Sequence, residues 1–280
     1  MGDGLLATLH VGGVAVADYT DGSGLDATLS PRPHLHPVRT LAGRVVTDAV
    51  PEDHRWHLGV SVALQDVGGG NFWGGRTYVR DQGYTWRADH GRVEHAGFEE
   101  MSDAGWTERL RWVAADGQQI LAEHRCVTAR PADGGWELEL RTTLASQVDR
   151  PLPLGSPATN GRTGAGYGGL FWRLPAADTP EVCTAEAESE SAVHGSVAPW
   201  LLWVERGPDP FAVAFTGADD ATRADPWFVR VEGYPGVGSQ LAATDPVVLP
   251  AGGSVTRGLR ALIVDGALDA AAAARWAARG

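Results

Sequence analysis

The chain has 280 residues, a formal net charge of -12, two cysteines and no lysine. The length and the 43% hydrophobic fraction allow a substantial core without staples. The negative charge argues against a nucleic-acid backbone as partner, and the absence of a lysine amine excludes Schiff-base and pyridoxal-phosphate chemistry. No window approaches the roughly 18 uninterrupted apolar residues of a membrane span, and the N-terminus lacks a basic, apolar leader. A soluble cytoplasmic protein with no membrane partner is therefore expected. Cys126 and Cys183 lie far apart in apolar segments and read as buried reduced thiols.

Leu5 to Tyr19, LLATLHVGGVAVADY, reads as two short strands around Gly12-Gly13. Pro31-Arg32-Pro33 leads an extended chain into His34-Leu35-His36-Pro37-Val38. That alternation puts His34 and His36 on one strand face. Arg44 to Thr47 reads as another short strand and Leu58 to Val67, LGVSVALQDV, as a clear one. The turn Gly68-Gly69-Gly70-Asn71 follows. In Phe72-Trp73-Gly74-Gly75 the glycines let a backbone or a ligand come close to the aromatics. Trp106 to Ala114, Ile120 to Ala129 and Trp136 to Leu144 are predicted as successive antiparallel strands, joined at Asp116-Gly117 and Asp133-Gly134-Gly135.

The glycine-rich stretch Thr159 to Arg173 does not follow a strand and open a helix, so it reads as a loop entering a strand. Glu181 to Ser196, Trp200 to Glu205, Phe211 to Thr216, Pro226 to Arg230 and Ser254 to Val264 are strand-like. The acidic run Glu186, Glu188, Glu190 is expected on a solvated strand face. The one predicted helix is the alanine-rich Leu268 to Arg279. There is no composition break and no clean repeat. The expectation is one all-β domain over 1–280, a large antiparallel two-sheet β-sandwich with a short C-terminal helix.

Four of the nine histidines, with Asp53 and Arg39, crowd into the stretch from Ser30 to Trp73. We read this stretch as the wall of a polar pocket. His54-x-x-His57 lies between Pro51 and Gly59, which leaves no room for a zinc-protease helix. In a turn, His54 and His57 can serve as general acid and substrate-orienting group, with Asp53 beside them. Metal ligation by His36, His54 and His57 is the alternative, a divalent ion being the only cofactor the sequence suggests. Eleven tryptophans are mostly core, but Trp73 or Trp227 next to the histidines would make a sugar-stacking platform. Candidate bases besides Asp53 are Asp66, Asp81, Glu99, Glu205 and Glu232. No Gly-x-Ser-x-Gly elbow is present.

Asp53-His54-x-x-His57-x-Gly59 followed by Asn71-Phe72-Trp73 resembles a bacterial family labelled the PmoA family. Tyr167-Gly168-Gly169-Leu170-x-x-Arg173 and Pro226-Trp227-Phe228-Val229-Arg230 resemble its later blocks. Gly69 departs from the usual asparagine, and Leu58 stands where arginine is frequent. Methane oxidation, which the label implies, is excluded because its namesakes are membrane-embedded. What the resemblance implies instead is carbohydrate metabolism. The strand plan and the early His/Arg cluster are also similar to aldose-epimerase and galactose-mutarotase-like sandwiches.

The expected function is a carbohydrate-active enzyme using His/carboxylate acid–base chemistry on a sugar or oxidised sugar, by epimerisation, elimination or hydrolysis. His54, His57 and Asp53 are its expected catalytic residues. His36, Arg39, Trp73, Tyr167, Arg173, Trp227 and Arg230 are expected to bind the substrate. The alternatives are a non-catalytic sugar-binding protein and a metal-dependent oxygenase or hydrolase.

Overall fold

The computed structural model describes residues 4–176 and 180–279. Two antiparallel sheets carry the architecture. A seven-stranded sheet runs in the order Leu5–Val11, Val14–Thr20, His34–Val38, Val60–Ala63, Gly169–Arg173, Gly236–Ser239, Trp227–Arg230. An eight-stranded sheet runs Pro180–Thr184, Leu201–Glu205, Phe211–Gly217, Ser254–Asp265, Gly135–Ser146, Gln119–Ala132, Gly105–Val113, Arg92–Ser102. The hairpin signals act where expected: Ala132 pairs with Gly135 across Asp133-Gly134, and Val113 with Gln119 across Asp116-Gly117. The two sheets close face to face on one apolar core, in which Leu9, Val62 and Trp172 meet Trp112, Leu140 and Phe215. No described helix is long and apolar enough to cross a membrane.

Local differences from the sequence reading have simple causes. Leu58 to Val67 is split, because Val60–Ala63 joins the large sheet while Asp66–Val67 pairs with Leu152–Gly155 in a small one. Arg44 to Thr47 makes only an isolated bridge between Val45 and Arg39. Strand Pro180–Thr184 ends early and Glu190 opens the short helix Glu190–Val193, so the acidic run is not a strand face. Glu190 instead accepts the backbone N–H groups of Val231 (2.7 Å) and Glu232 (2.9 Å). The C-terminal helix, Ala270–Ala277, is capped by Asp269 and lays Ala273 and Trp276 on the outer face of the eight-stranded sheet. Both cysteines are free and half-buried, and burial raises their pKa values, which disfavours a reactive thiolate.

The core also holds a buried polar cluster. Arg125 and Glu123 are fully buried and bonded at 2.7 Å. Arg125 also donates to the Tyr19 hydroxyl (2.9 Å) on the facing sheet, and Glu123 accepts from Trp112 Nε1 (2.7 Å). Removing one partner strands a buried charge. Arg125→Met should lower unfolding stability by about 3–5 kcal/mol in urea titration. A loss under about 1 kcal/mol would show that Glu123 finds water or another cation.

Candidate functional site

Strand parity builds the floor of the site. Val60, Val62, Leu170, Trp172, Trp227 and Val229 point into the main core. Their alternate neighbours Ala63, Phe171 and Phe228 form a separate apolar cluster on the other face, with Trp73, Ala165 and Tyr167. Above this floor lies a cavity of about 500 Å³. His54, Trp56 and His57 come from one loop, Gln65, Trp73 and Arg76 from the next, and Tyr84 and Trp86 from a small hairpin. Arg162 and Tyr167 come from the glycine-rich loop, and Phe228, Arg230 and Tyr234 from the sheet edge. The size and the mixture of aromatic walls with a few polar groups suit a small ligand.

The loops are shaped by buried polar groups. Asn71 Oδ1 accepts from the N–H groups of Trp73 and Gly74, both at 2.9 Å, and so aims Trp73 at the cavity. Gly74 and Gly75 have φ of +99° and +68°, and a Cβ on Gly75 would strike the Trp56 ring at 2.6–2.8 Å. The close approach read from these glycines is thus made by a neighbouring loop. Arg32, fully buried, donates to the carbonyls of Ser30 (3.0 Å), Trp73 (3.1 Å) and Trp56 (2.9 Å), tying the two loops together. Burial is the main reason its pKa falls to about 9.

The histidine loop turns tightly, with His57 N–H on the His54 carbonyl (2.9 Å), and stacks the two rings at 4.8 Å. Tyr234 lies against both, at 4.3 and 4.8 Å between ring centroids. His54 Nδ1 is 3.3 Å from Asp53 Oδ2. A carboxylate only accepts, so this contact puts the His54 proton on Nδ1 and leaves Nε2 free to accept. His57 Nδ1 faces Arg173 Nη1 at 3.5 Å. A guanidinium only donates, so here the lone pair is on Nδ1 and the proton on Nε2. Arg173 also holds Asp53 through both carboxylate oxygens, at 2.9 and 3.0 Å.

Burial drives His57 well below its ordinary pKa, and the charges of neighbouring His54 and Arg173 push the same way. His54 is lowered too, burial outweighing the raising effect of Asp53. Asp53 is raised by burial but lowered more by Arg173 and His54 together, so it remains a carboxylate. Near neutral pH the site therefore presents two uncharged imidazoles in opposite tautomers.

The structure brings His54, His57, Trp73, Tyr167 and Arg230 to the cavity wall, with Asp53 and Arg173 bonded behind them. It does not bring the rest. His36 bonds Thr47 Oγ1 (3.0 Å) and Arg39 pairs with Asp18 (2.9 Å), away from the lining. Trp227 lies in the main core with its indole N–H on the Ala198 carbonyl (3.0 Å), because its parity is opposite to that of Phe228 and Arg230. Among the described residues no three His, Cys, Asp or Glu side chains are grouped to hold a metal, so the set His36, His54, His57 does not form one. Of the other candidate bases, Glu99 is bound to His124 at the surface, and none of Asp66, Asp81, Glu205 or Glu232 lines the cavity. Sequence reasoning missed Gln65, Arg76, Tyr84, Arg162 and Phe228. Parity from Val60 and Val62 would have flagged Gln65, and parity from Arg230 would have flagged Phe228.

Residues 7–278 match the model of a family of unknown function, DUF6807, and the chain belongs to that family. No curated protein matches it. A candidate aldose 1-epimerase from Escherichia coli K12 is similar in structure, with a TM-score of 0.54 and 13% identity over 94% of this chain and 100% of that one. A galactose mutarotase-like protein from Lactobacillus casei gives a TM-score of 0.48 at 10% identity over 93% of this chain and 100% of that one. The fold is thus a two-sheet antiparallel sandwich of the kind seen in that candidate aldose 1-epimerase. The PmoA label finds no support in these comparisons.

Arg32→Met should destabilise the protein by about 3 kcal/mol or more, because the buried carbonyls it serves lose their donors together. Unfolding within about 1 kcal/mol of the wild type would show that the loops hold without it.

His34, at about pKa 4, and His57 both have folded values below the unfolded one of about 6.5, burial being the largest cause. The unfolded chain then binds more protons, so stability is full above about pH 6.5 and falls as pH drops toward 4. His34 alone should account for about 3 kcal/mol over that window. Urea unfolding at pH 7 and pH 5 should give a lower midpoint at pH 5, with a smaller difference in His34→Gln. An equal midpoint difference in the two proteins would refute this.

Proposed function

We propose that the protein is an enzyme acting on a sugar by acid–base chemistry in the aromatic cavity. The observation that carries this reading is the stacked pair His54 and His57, with one free nitrogen acceptor and one N–H donor beside each other. Aromatic walls such as Trp73, Trp56 and Tyr234 offer faces to the C–H groups of a pyranose ring. Both imidazoles are neutral near pH 7, which suits a base and a hydrogen-bond donor better than an imidazolium acid.

The roles follow from the bonding. His54 Nε2 is the base; Asp53 fixes its tautomer and steadies the charge it acquires. Arg173 holds Asp53 in place and at the same time keeps His57 Nδ1 unprotonated. His57 Nε2–H hydrogen-bonds the substrate oxygen on which negative charge develops. The sandwich shared with a candidate aldose 1-epimerase favours the anomeric centre as the reacting group. There, His54 takes the anomeric hydroxyl proton, the bond from C1 to the ring oxygen opens to give the aldehyde, and the protonated His54 delivers that same proton to the ring oxygen, which His57 Nε2–H hydrogen-bonds as its negative charge develops. The reverse sequence on the other face of the carbonyl gives the other anomer, with no net change in protons.

NMR exchange between anomers, measured on a panel of aldoses, tests this directly. His54→Ala should remove catalysed exchange while changing the melting temperature little, and Asp53→Asn should lower it by about 10²–10⁴-fold. Because the His54 pKa lies below 6.5, kcat/KM should be level above that pH and fall below it as the base is protonated. Sugar binding with no exchange in the wild type, unaltered in His54→Ala, would identify a binding module instead.

A further inference from the structure

The cavity wall is unusual in charge for a chain of net charge -12. It contains the guanidinium groups of Arg76, Arg162 and Arg230, and none of its lining residues is acidic. Among the described residues, neither Arg76 nor Arg162 has a carboxylate within ion-pair distance. Arg76 lies over Trp86 at 5.9 Å, and Arg162 over Tyr84 at 5.0 Å with a bond to its hydroxyl. Arg230 lies over Phe228 at 5.0 Å and reaches Glu190 only at 3.6 Å.

The three cations come from separate segments, and Tyr234 feels the charge of Arg162 and Arg230 together. Arg76 and Arg162 are exposed, while the aromatic floor beneath them is buried. Tyr167 joins the two levels: its hydroxyl bonds both Tyr84 (2.8 Å) and Gln65 (2.9 Å), while its ring packs on Trp73. A cationic rim above an apolar floor fits a ligand with a hydrophobic ring face and an anionic substituent at one end.

We propose that the substrate of this site is an anionic sugar, carrying a carboxylate or a phosphate group that Arg76, Arg162 and Arg230 receive at the mouth of the cavity. The inference rests on the sugar reading above. It differs in naming the charge class and in assigning Arg76 and Arg162 a selective role that the acid–base chemistry does not require. Arginine suits this task because it presents paired donors to a planar carboxylate or to two phosphate oxygens. The stacking of each guanidinium on an aromatic ring limits its motion and so the ordering needed on binding.

Tryptophan fluorescence titration of the full chain provides the test, since Trp56, Trp73 and Trp86 line the site. The probes are glucuronate and galacturonate for the carboxylate arm, glucose 6-phosphate for the phosphate arm, and glucose and galactose as neutral controls. At least one anionic arm should bind about tenfold or more tightly than the neutral sugars, and its affinity should fall with added salt. Arg76→Gln and Arg162→Gln should each weaken that arm by about tenfold and leave the neutral sugars unchanged. Which arm responds identifies the anion.

Equal affinity for neutral and anionic sugars would overturn the inference and leave the sugar reading intact. Equal weakening of both classes in the variants would also overturn it, since the arginines would then only brace the aromatic rings. If no probe binds, the sugar reading and the inference fall together.

Discussion

A buried guanidinium that has no carboxylate partner among the described residues holds the site together. Arg32 is fully enclosed, and its hydrogen bonds go to backbone carbonyls and to Ser61 Oγ. Such a charge is costly to bury, and only a full set of acceptors offsets the loss of water. The carbonyl acceptors lie in three places: the turn before residue 31, the histidine loop at Trp56, and the turn at Trp73. Satisfying the arginine therefore fixes the spacing between the two loops that carry His54, His57 and Trp73. The glycines at 74 and 75 permit the approach, and Arg32 sets its distance.

The seven-stranded sheet does two jobs because its faces are chemically distinct. One face meets the eight-stranded sheet in the main core; the other carries Ala63, Phe171 and Phe228 beneath the cavity. Strands Val60–Ala63, Gly169–Arg173 and Trp227–Arg230 contribute to both by simple alternation. Mutations at Trp172 and Phe171 are thus neighbours in sequence but act on different parts of the molecule. The site stands on a floor whose underside is locked in the core, which gives its side chains a rigid support.

Electrostatics divides the site into a neutral interior and a charged margin. Asp53 and Arg173 pair behind the histidines, and burial, the largest influence on both imidazoles, keeps them uncharged. The cations of the cavity wall, Arg76, Arg162 and Arg230, lie at the rim. In the proposed chemistry, proton transfer within and anion recognition at the mouth involve separate residues.

The sequence by itself determined the architecture. Period-2 alternation and Gly-containing turns marked most strands and hairpins, because these signals are local in the chain. It also singled out Asp53, His54 and His57, whose closeness in sequence survives in space, and it placed Tyr167, Arg173 and Arg230 with them. It misassigned Trp227, although the alternation it relied on elsewhere separates that residue from Arg230. Other assignments depended on contacts between distant segments. Arg39 and His36 share the histidine-rich stretch, yet strand pairing turns them toward Asp18 and Thr47. Arg32 read as a residue between two prolines, Arg162 as part of a glycine-rich loop, and no motif singled out Arg76 or Tyr84. Only the tertiary structure gave these four their positions, because the acceptors around Arg32 and the walls of the cavity come from segments far apart in the chain. Which nitrogen of each histidine carries its proton was decided the same way, by Arg173 meeting Asp53 and His57 across more than a hundred residues.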